Sequence, residues 1–218
     1  MSQPGRLTRA RREPRQERSR ETVERILTAA HSVLVSRGYE GASTNRIAAE
    51  AGISPGSFYQ YFPDKHAVLD VVIERYAERM RARITDAFMS TLTEPSLDAA
   101  VRANVIALIN AFEEHAALLR VLAEQLPRSA DARRSEFTHH IDELLAAFLR
   151  VRRPSQEPEG PEGPSAGNTD NAAVAWVLVR AVENLTISYV LDPPPVDRET
   201  IINEITVLFT GYLTARLT

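Results

Sequence analysis

The sequence contains no cysteine among its 218 residues. Disulfides and thiolate metal sites are therefore excluded, and the composition suits a reducing cytoplasm, the location expected for this chain. No run approaches eighteen uninterrupted apolar residues, which argues against a membrane span. The N-terminus also lacks the apolar core of a secretion signal. Alternating strand patterns are missing as well, and the apolar spacing is helical throughout. No paired nucleophile and base, phosphate-cradling glycine loop or separated pair of carboxylates stands out, so no catalytic residue, no cofactor and no enzymatic activity are expected. His139, within helical reach of Asp142 and Glu143, is the nearest approach to a metal cluster. One such group supplies too few ligands, and no metal is expected.

Lysine occurs once, at Lys65, against 25 arginines. It closes the segment ISPGSFYQYFPDK, residues 53–65, which holds four aromatic rings. Ser54 followed by Pro55 is a helix start: the hydroxyl caps a free N–H, and proline at the first position lacks a donor that would have no partner there. Pro63 disfavours helical geometry at Phe62 and ends the run. A helix of roughly eight residues, about 12 Å long, is too short to be stable without neighbours. Phe58 and Phe62, four apart, supply its inward face. Ser57, Tyr59, Gln60 and Tyr61 then lie mainly on the other faces, where hydroxyls, phenols and an amide can meet phosphates and base edges.

The preceding STNRIAAEAG, residues 43–52, predicts another short helix. Ser43 or Thr44 caps it, Ile47, Ala48 and Ala51 form an apolar strip, and Gly52 is suited to the positive φ that ends a helix. Helix, glycine-containing turn and helix together are the sequence form of a helix-turn-helix. A longer amphipathic helix is predicted from about Glu21 to Arg37, with Gly38 at its end. Three helices can bury one small core.

Net charge is −3 overall, but residues 1–70 carry 11 basic and 8 acidic side chains and the remainder 15 and 21. The positive part coincides with the helix-turn-helix and points it at DNA. Residues 1–20 form a basic arm, expected to be flexible, whose arginines can add phosphate contacts or enter a minor groove. Lys65 opens a long helix expected over about 64–90, where a cation opposes the positive end of the helix dipole and a phosphate would relieve the conflict.

The run RILTAAHSVLVSRGYEGASTNRIAAEAGISPGSFYQYFPDKHAVLDVV, residues 25–72, resembles the N-terminal domain of the TetR family of transcriptional regulators. The order is the same: first helix, glycine-aromatic RGYEGAST, the IAAEAGIS helix and turn, and FYQYFPDK leading into a fourth helix. The resemblance implies an all-α fold of about nine helices. Residues 21–65 would be the three-helix DNA-binding domain, and residues 66–218 an effector-binding and dimerisation domain. It places DNA contacts at Thr44, Asn45, Ser54, Pro55 and Gly56, and at Ser57, Tyr59, Gln60, Tyr61 and Lys65. A homodimeric repressor released from a palindromic operator by a small, largely apolar effector is the function implied. The alternative is an architectural DNA-binding protein without a ligand.

Beyond residue 70, helices are expected at about 97–114, 115–126, 129–151, 170–191 and 198–216. Residues 154–168, PSQEPEGPEGPSAGN, read as a mobile loop. The final helix carries two apolar rows. Its Ile201, Ile205, Leu208 and Tyr212 row resembles the family's four-helix dimer interface, and two half-sites about one DNA turn apart require two recognition helices in fixed relation. Phe88, Asn104, Leu108, Phe112, Leu122 and Phe148 are candidates to line an effector cavity. Trp176, Glu183 and Asn184 complete that set, the last two because polar groups on apolar helices need partners.

Overall fold

The computed structural model of the chain describes residues 13–125, 131–152 and 166–217, which form nine α-helices and no strand. They fall into two compact units that divide between Arg75 and Tyr76. The N-terminal unit contains α1 (Glu13–Gly41), α2 (Thr44–Glu50), α3 (Pro55–Phe58) and the beginning of α4 (Lys65–Ser90). The C-terminal unit contains the rest of α4, then α5 (Leu97–Glu114), α6 (Ala116–Gln125), α7 (Asp131–Arg152), α8 (Ala166–Leu191) and α9 (Arg198–Leu217).

In the N-terminal unit, Ile26, Ala30 and Leu34 of α1 are buried together with Ile47 and Ala48 of α2, Phe58 and Phe62, and Val68 and Leu69 of α4. The alanines are small at the places where α1 and α2 pack. α1 starts at Glu13, not near Glu21, so residues 13–20, expected in the arm, are helical. The reason lies in their composition. Glu, Gln and Arg are strong helix formers, and Pro14 falls in the first turn, where its missing N–H costs little. Residues 1–12, the rest of the expected arm, lie outside the described residues. Helical geometry breaks at Gly38, with φ 71° and ψ 177°.

The connection from α2 to α3 is built from local hydrogen bonds. Ser43 caps α2 by accepting from the Arg46 N–H, and Ser54 caps α3 by accepting from the Ser57 N–H at 3.1 Å. Gly52 has a φ of 66°, the left-handed geometry anticipated for it. Arg25 of α1 reaches the same turn and donates to the Ala51 carbonyl at 2.7 Å, taking up an acceptor that the end of α2 leaves open. α3 is regular only over Pro55–Phe58, shorter than the eight residues expected. The bonds then tighten, with Gln60 N–H donating to Ser57 O and Tyr61 N–H to Phe58 O, before Phe62 N–H returns to Phe58 O at 3.0 Å. Phe62 is thus brought inward by a tightened turn, with Pro63 next in sequence.

In the C-terminal unit, α5 packs on α6, α8 and α9, and α7 packs on α8. Val105 and Ile109 of α5, Leu149 of α7, Val174 and Leu178 of α8, and Ile202, Ile205, Phe209 and Leu213 of α9 form one core. Ser96 caps α5 and Asp197 caps α9, the latter accepting from the Thr200 N–H at 2.9 Å. Thr200 hydrogen bonds hold the Asp197 carboxyl below its ordinary range. Arg102 joins α5 to α9 through Asn203 at 2.6 Å and through Glu199. α8 begins at Ala166, so residues 166–168, expected at the end of the mobile loop, form its first turn; residues 153–165 lie outside the described residues. Its stretch Asn171–Leu191 is long and apolar enough to cross a membrane by length and composition. It packs here against α5, α6 and α7, with Arg180 paired to Asp142 at 3.1 Å.

A Cβ at position 52 would make an ordinary van der Waals contact with an Arg25 nitrogen at 3.7 Å, so backbone strain alone opposes a side chain there. Gly52→Ala should destabilise the N-terminal unit by about 1–2 kcal/mol and Gly52→Asn by less, since asparagine tolerates left-handed geometry. Chemical denaturation compares them, and equal losses would contradict the assignment. Tyr76 is buried, and its hydroxyl meets no hydrogen-bond partner among the described residues. Burial pushes that hydroxyl up to about 12. An unfolded tyrosine releases its proton near pH 10, so the contribution is intact below that pH and declines as pH rises toward 12. Urea unfolding should lose about 1 kcal/mol between pH 9 and pH 11 from this group, and Tyr76→Phe should remove that component. A Phe variant with undiminished pH dependence would refute it.

Candidate functional site

The helix-turn-helix presents a polar surface whose groups differ in how far they are already committed. Asn45, Ser54, Pro55, Gly56, Tyr59 and Gln60 are exposed; Thr44, Ser57, Tyr61 and Lys65 are half-buried. Nine of the ten candidate DNA-contacting residues lie on α2, on α3 or in the segments that flank it, and Lys65 opens α4. Thr44 and Tyr59 share a hydroxyl–hydroxyl hydrogen bond of 3.0 Å, and Ser54 and Ser57 share one of 2.9 Å. These pairs tie α2 to the end of α3 and tighten the cap. The side-chain amides of Asn45 and Gln60 have no hydrogen bond among the described residues, so both keep full donor and acceptor capacity for an incoming group.

Lys65 is placed differently from the simple dipole argument. Its ammonium donates to the Tyr39 carbonyl at 3.3 Å and lies 5.2 Å from the Tyr39 ring centroid. The start of α4 is served instead by Asp64, whose carboxylate accepts from the Ala67 N–H at 2.9 Å. An acid in the capping position relieves the dipole conflict without a phosphate. The Asp-Lys-His sequence at the helix start is the signal for that cap. Lys65 still has two uncommitted protons. Tyr39 is fixed in turn by a 2.7 Å hydrogen bond between its hydroxyl and His66 Nδ1.

The C-terminal unit contains a cavity of about 140 Å³. Of the nine residues anticipated for it, Phe88, Asn104, Leu108 and Phe148 line it, with Phe88 and Phe148 meeting edge to face at 5.6 Å. Phe112, Leu122, Trp176, Glu183 and Asn184 do not. Phe112 is buried elsewhere on α5, and Leu122 is half-buried on α6. Trp176 is 56% exposed on the outer side of α8, its ring 5.6 Å from the Arg180 guanidinium. Asn184 donates to the Arg180 carbonyl at 2.8 Å, and Glu183 is buried with a partner inside the protein. Apolar length on α8 does not reveal which side faces inward, because the helix is apolar nearly all round. Leu178, Val179 and Val182 are the α8 residues on the cavity. Thr91, just past the end of α4, also lines it, although its sequence setting reads only as a turn.

The four α9 residues expected at an interface do not share one environment. Leu208 is 58% exposed, Ile201 and Tyr212 are half-buried, and Ile205 is only 6% exposed. Ile205 belongs to the core of its own chain, packed with Ile202 and Phe209. Val207, beside Leu208 but outside both apolar rows, is 65% exposed. Among the described residues of these two helices, the exposed large apolar side chains are Val207 and Leu208 on α9 and Trp176, Val177 and Leu185 on α8. His139 and Glu143 approach at 3.3 Å, but Asp142 turns to Arg180, and no cluster suited to a metal occurs among the described residues. Burial raises the Asp142 carboxyl despite the opposing pull of Arg180.

Comparison with known proteins assigns both units. The family described as bacterial regulatory proteins, tetR family, matches residues 26–72, and the tetracyclin repressor-like C-terminal domain matches residues 96–213. The nucleoid occlusion factor SlmA of Haemophilus influenzae is 25% identical over 173 residues, covering 78% of this chain and 76% of that protein. The HTH-type transcriptional regulator EthR of Mycolicibacterium smegmatis is 32% identical over 106 residues, about half of each protein (49% and 48%). Among solved structures, a TetR-like regulator from Rhodococcus sp. RHA1 superimposes with a TM-score of 0.62 at 22% identity, covering 96% of this chain and 99% of that one. The fatty acid degradation regulator FadR of Bacillus halodurans gives 0.61 at 19%, covering 87% and 95%. At these identities the superpositions speak for the fold alone. The two sequence matches, in the order of the helix-turn-helix and the helical body described above, place the chain in the TetR family of DNA-binding transcriptional regulators.

Proposed function

We propose that the protein is a cytoplasmic homodimeric repressor that binds a palindromic operator and is released from it by a small, largely apolar effector. The observation that carries this reading is the cavity of the C-terminal unit, whose described lining is apolar except for Thr91 and Asn104. An architectural DNA-binding protein has no need of such a space. The N-terminal unit, expected from sequence as residues 21–65, acts as the DNA-binding domain, and the unit from Tyr76 onward acts as the effector-binding and dimerisation domain. α4 is the element through which they communicate, since its first residue is Lys65 and its last turns supply Phe88 to the cavity.

On the DNA side, Gln60 and Asn45 are the readers of base edges, because their amides are uncommitted, with Ser57 beside them. Lys65, Tyr59 and Tyr61 hold phosphates, which fixes position without reading sequence. The exposed apolar side chains of α8 and α9, Trp176, Val177, Val207 and Leu208, supply the surface that pairs with a second copy, which would remove them from water.

Lys65→Ala should weaken binding to operator and random DNA alike and lower the salt dependence of affinity by about one phosphate contact. Gln60→Ala should instead relax preference at particular base positions, each worth roughly 1–3 kcal/mol. Binding selections with randomised DNA distinguish the two, and an unchanged motif for Gln60→Ala would remove it as a reader. Leu208→Glu should convert the dimer to monomer in sedimentation and shift Trp176 emission to longer wavelength as the ring becomes hydrated. A Leu208→Glu dimer with unaltered emission would place the interface elsewhere. For the function itself, compounds that raise the melting temperature should release operator in a gel-shift titration. Stabilising compounds that leave operator binding unchanged would favour the architectural reading.

A further inference from the structure

The polar chemistry of the cavity lies, among the described residues, in two side chains whose hydrogens are all committed. The Asn104 amide nitrogen donates one hydrogen to Thr91 Oγ1 at 2.7 Å and the other to the Ala100 carbonyl at 2.8 Å. This network fixes the orientation of the amide. A carbonyl can only accept, so the nitrogen, not the oxygen, must face Ala100. The Thr91 hydroxyl donates in turn to the Phe88 carbonyl at 2.9 Å. What remains is acceptor capacity alone: the lone pairs of Asn104 Oδ1 and one on Thr91 Oγ1. The setting reinforces this sign. α4 ends at Ser90, immediately before Thr91, and a helix C-terminus carries partial negative charge. No lysine, arginine or histidine occurs among the described residues lining the cavity.

We propose that the effector is an uncharged, largely apolar molecule bearing a hydrogen-bond donor, an O–H or N–H, that docks on Asn104 Oδ1; this rests on the cavity being the effector site. At about 140 Å³ the cavity has room for at least a single ring, since about 150 Å³ accommodates benzene. A carboxylate is disfavoured on chemical grounds. Among the described lining residues it would meet only lone pairs and the negative end of α4, with no side-chain donor to replace its lost hydration. An ether or ketone lacking a donor would leave Asn104 Oδ1 unpaired and desolvated.

The test uses the full chain and three probes of similar shape, phenol, toluene and benzoate, titrated by calorimetry into wild type and Asn104→Leu. The affinity ratio of phenol to toluene should fall roughly tenfold in Asn104→Leu, because phenol alone loses a partner. Benzoate should bind wild type at least about 100-fold more weakly than phenol. Thr91→Val gives an independent variant if Asn104→Leu does not fold. It frees one Asn104 N–H, so anisole, which has an acceptor and no donor, should bind it several-fold better than it binds wild type. A phenol-to-toluene ratio unchanged by Asn104→Leu, or benzoate binding as well as phenol, would overturn the proposal while leaving the cavity an effector site. If none of the probes, toluene included, binds up to its solubility limit, the effector-site reading fails and this proposal with it.

Discussion

Ile109, in the middle of α5, is completely withdrawn from solvent, and the packing of α5 on α8 and α9 around it is the constraint on which the C-terminal unit depends. The hydrophobic stabilisation of that contact comes from a row on each helix: Val105 and Ile109, Val174 and Leu178, Ile202 and Phe209. The cavity opens beside it. Leu178, Phe209 and Leu213 belong to the core cluster and also line the cavity, so one side of the cavity is as firmly packed as a protein interior. Asn104 stands on the same helix as Ile109, held by the carbonyl of Ala100 one turn back. Its geometry is therefore set by the core, which is what a specific polar contact in an otherwise apolar space requires.

The N-terminal unit solves a different problem. α2 and α3 are seven and four residues long, too short to persist in water by themselves. Phe58, Ile47 and Ala48 anchor them beneath α1, and Arg25 closes the end of α2 by capturing the Ala51 carbonyl. Caps at Ser43 and Ser54 and the left-handed turn at Gly52 fix the path between them. The exposed amides of Asn45 and Gln60 thus stand on rigid backbone, a prerequisite for reading sequence by hydrogen bonds.

Much of this is legible in the sequence because it is local. The helix start at Ser54-Pro55, the glycine turn at Gly52, the inward pair Phe58 and Phe62, and the limits of α5 and α9 depend on neighbours within a few residues. The inner face of α8 is not legible, since a helix apolar on all sides carries no periodic signal. Sequence reasoning puts Trp176, Glu183 and Asn184 on the cavity, whereas Leu178, Val179 and Val182 occupy it. The two rows of α9 mislead in a related way. Ile205 shares a row with Leu208 at the spacing of a helix, yet one is buried in its own chain and the other is exposed, because the core reaches around more of the helix than a single row. Lys65 stands out in the sequence, but its engagement with the Tyr39 carbonyl is a contact across 26 positions that no local pattern encodes.

The central claim is that occupancy of the cavity and binding of the operator are coupled in one molecule. The most direct measurement is the affinity of a cavity-binding compound for the free protein and for the protein saturated with operator, alongside operator affinity with and without the compound. Coupling is reciprocal, so both pairs should differ by one factor, in the range of about 5-fold to 150-fold, each ligand weakening the other. Compound affinity that is the same in the presence and absence of operator would contradict the account.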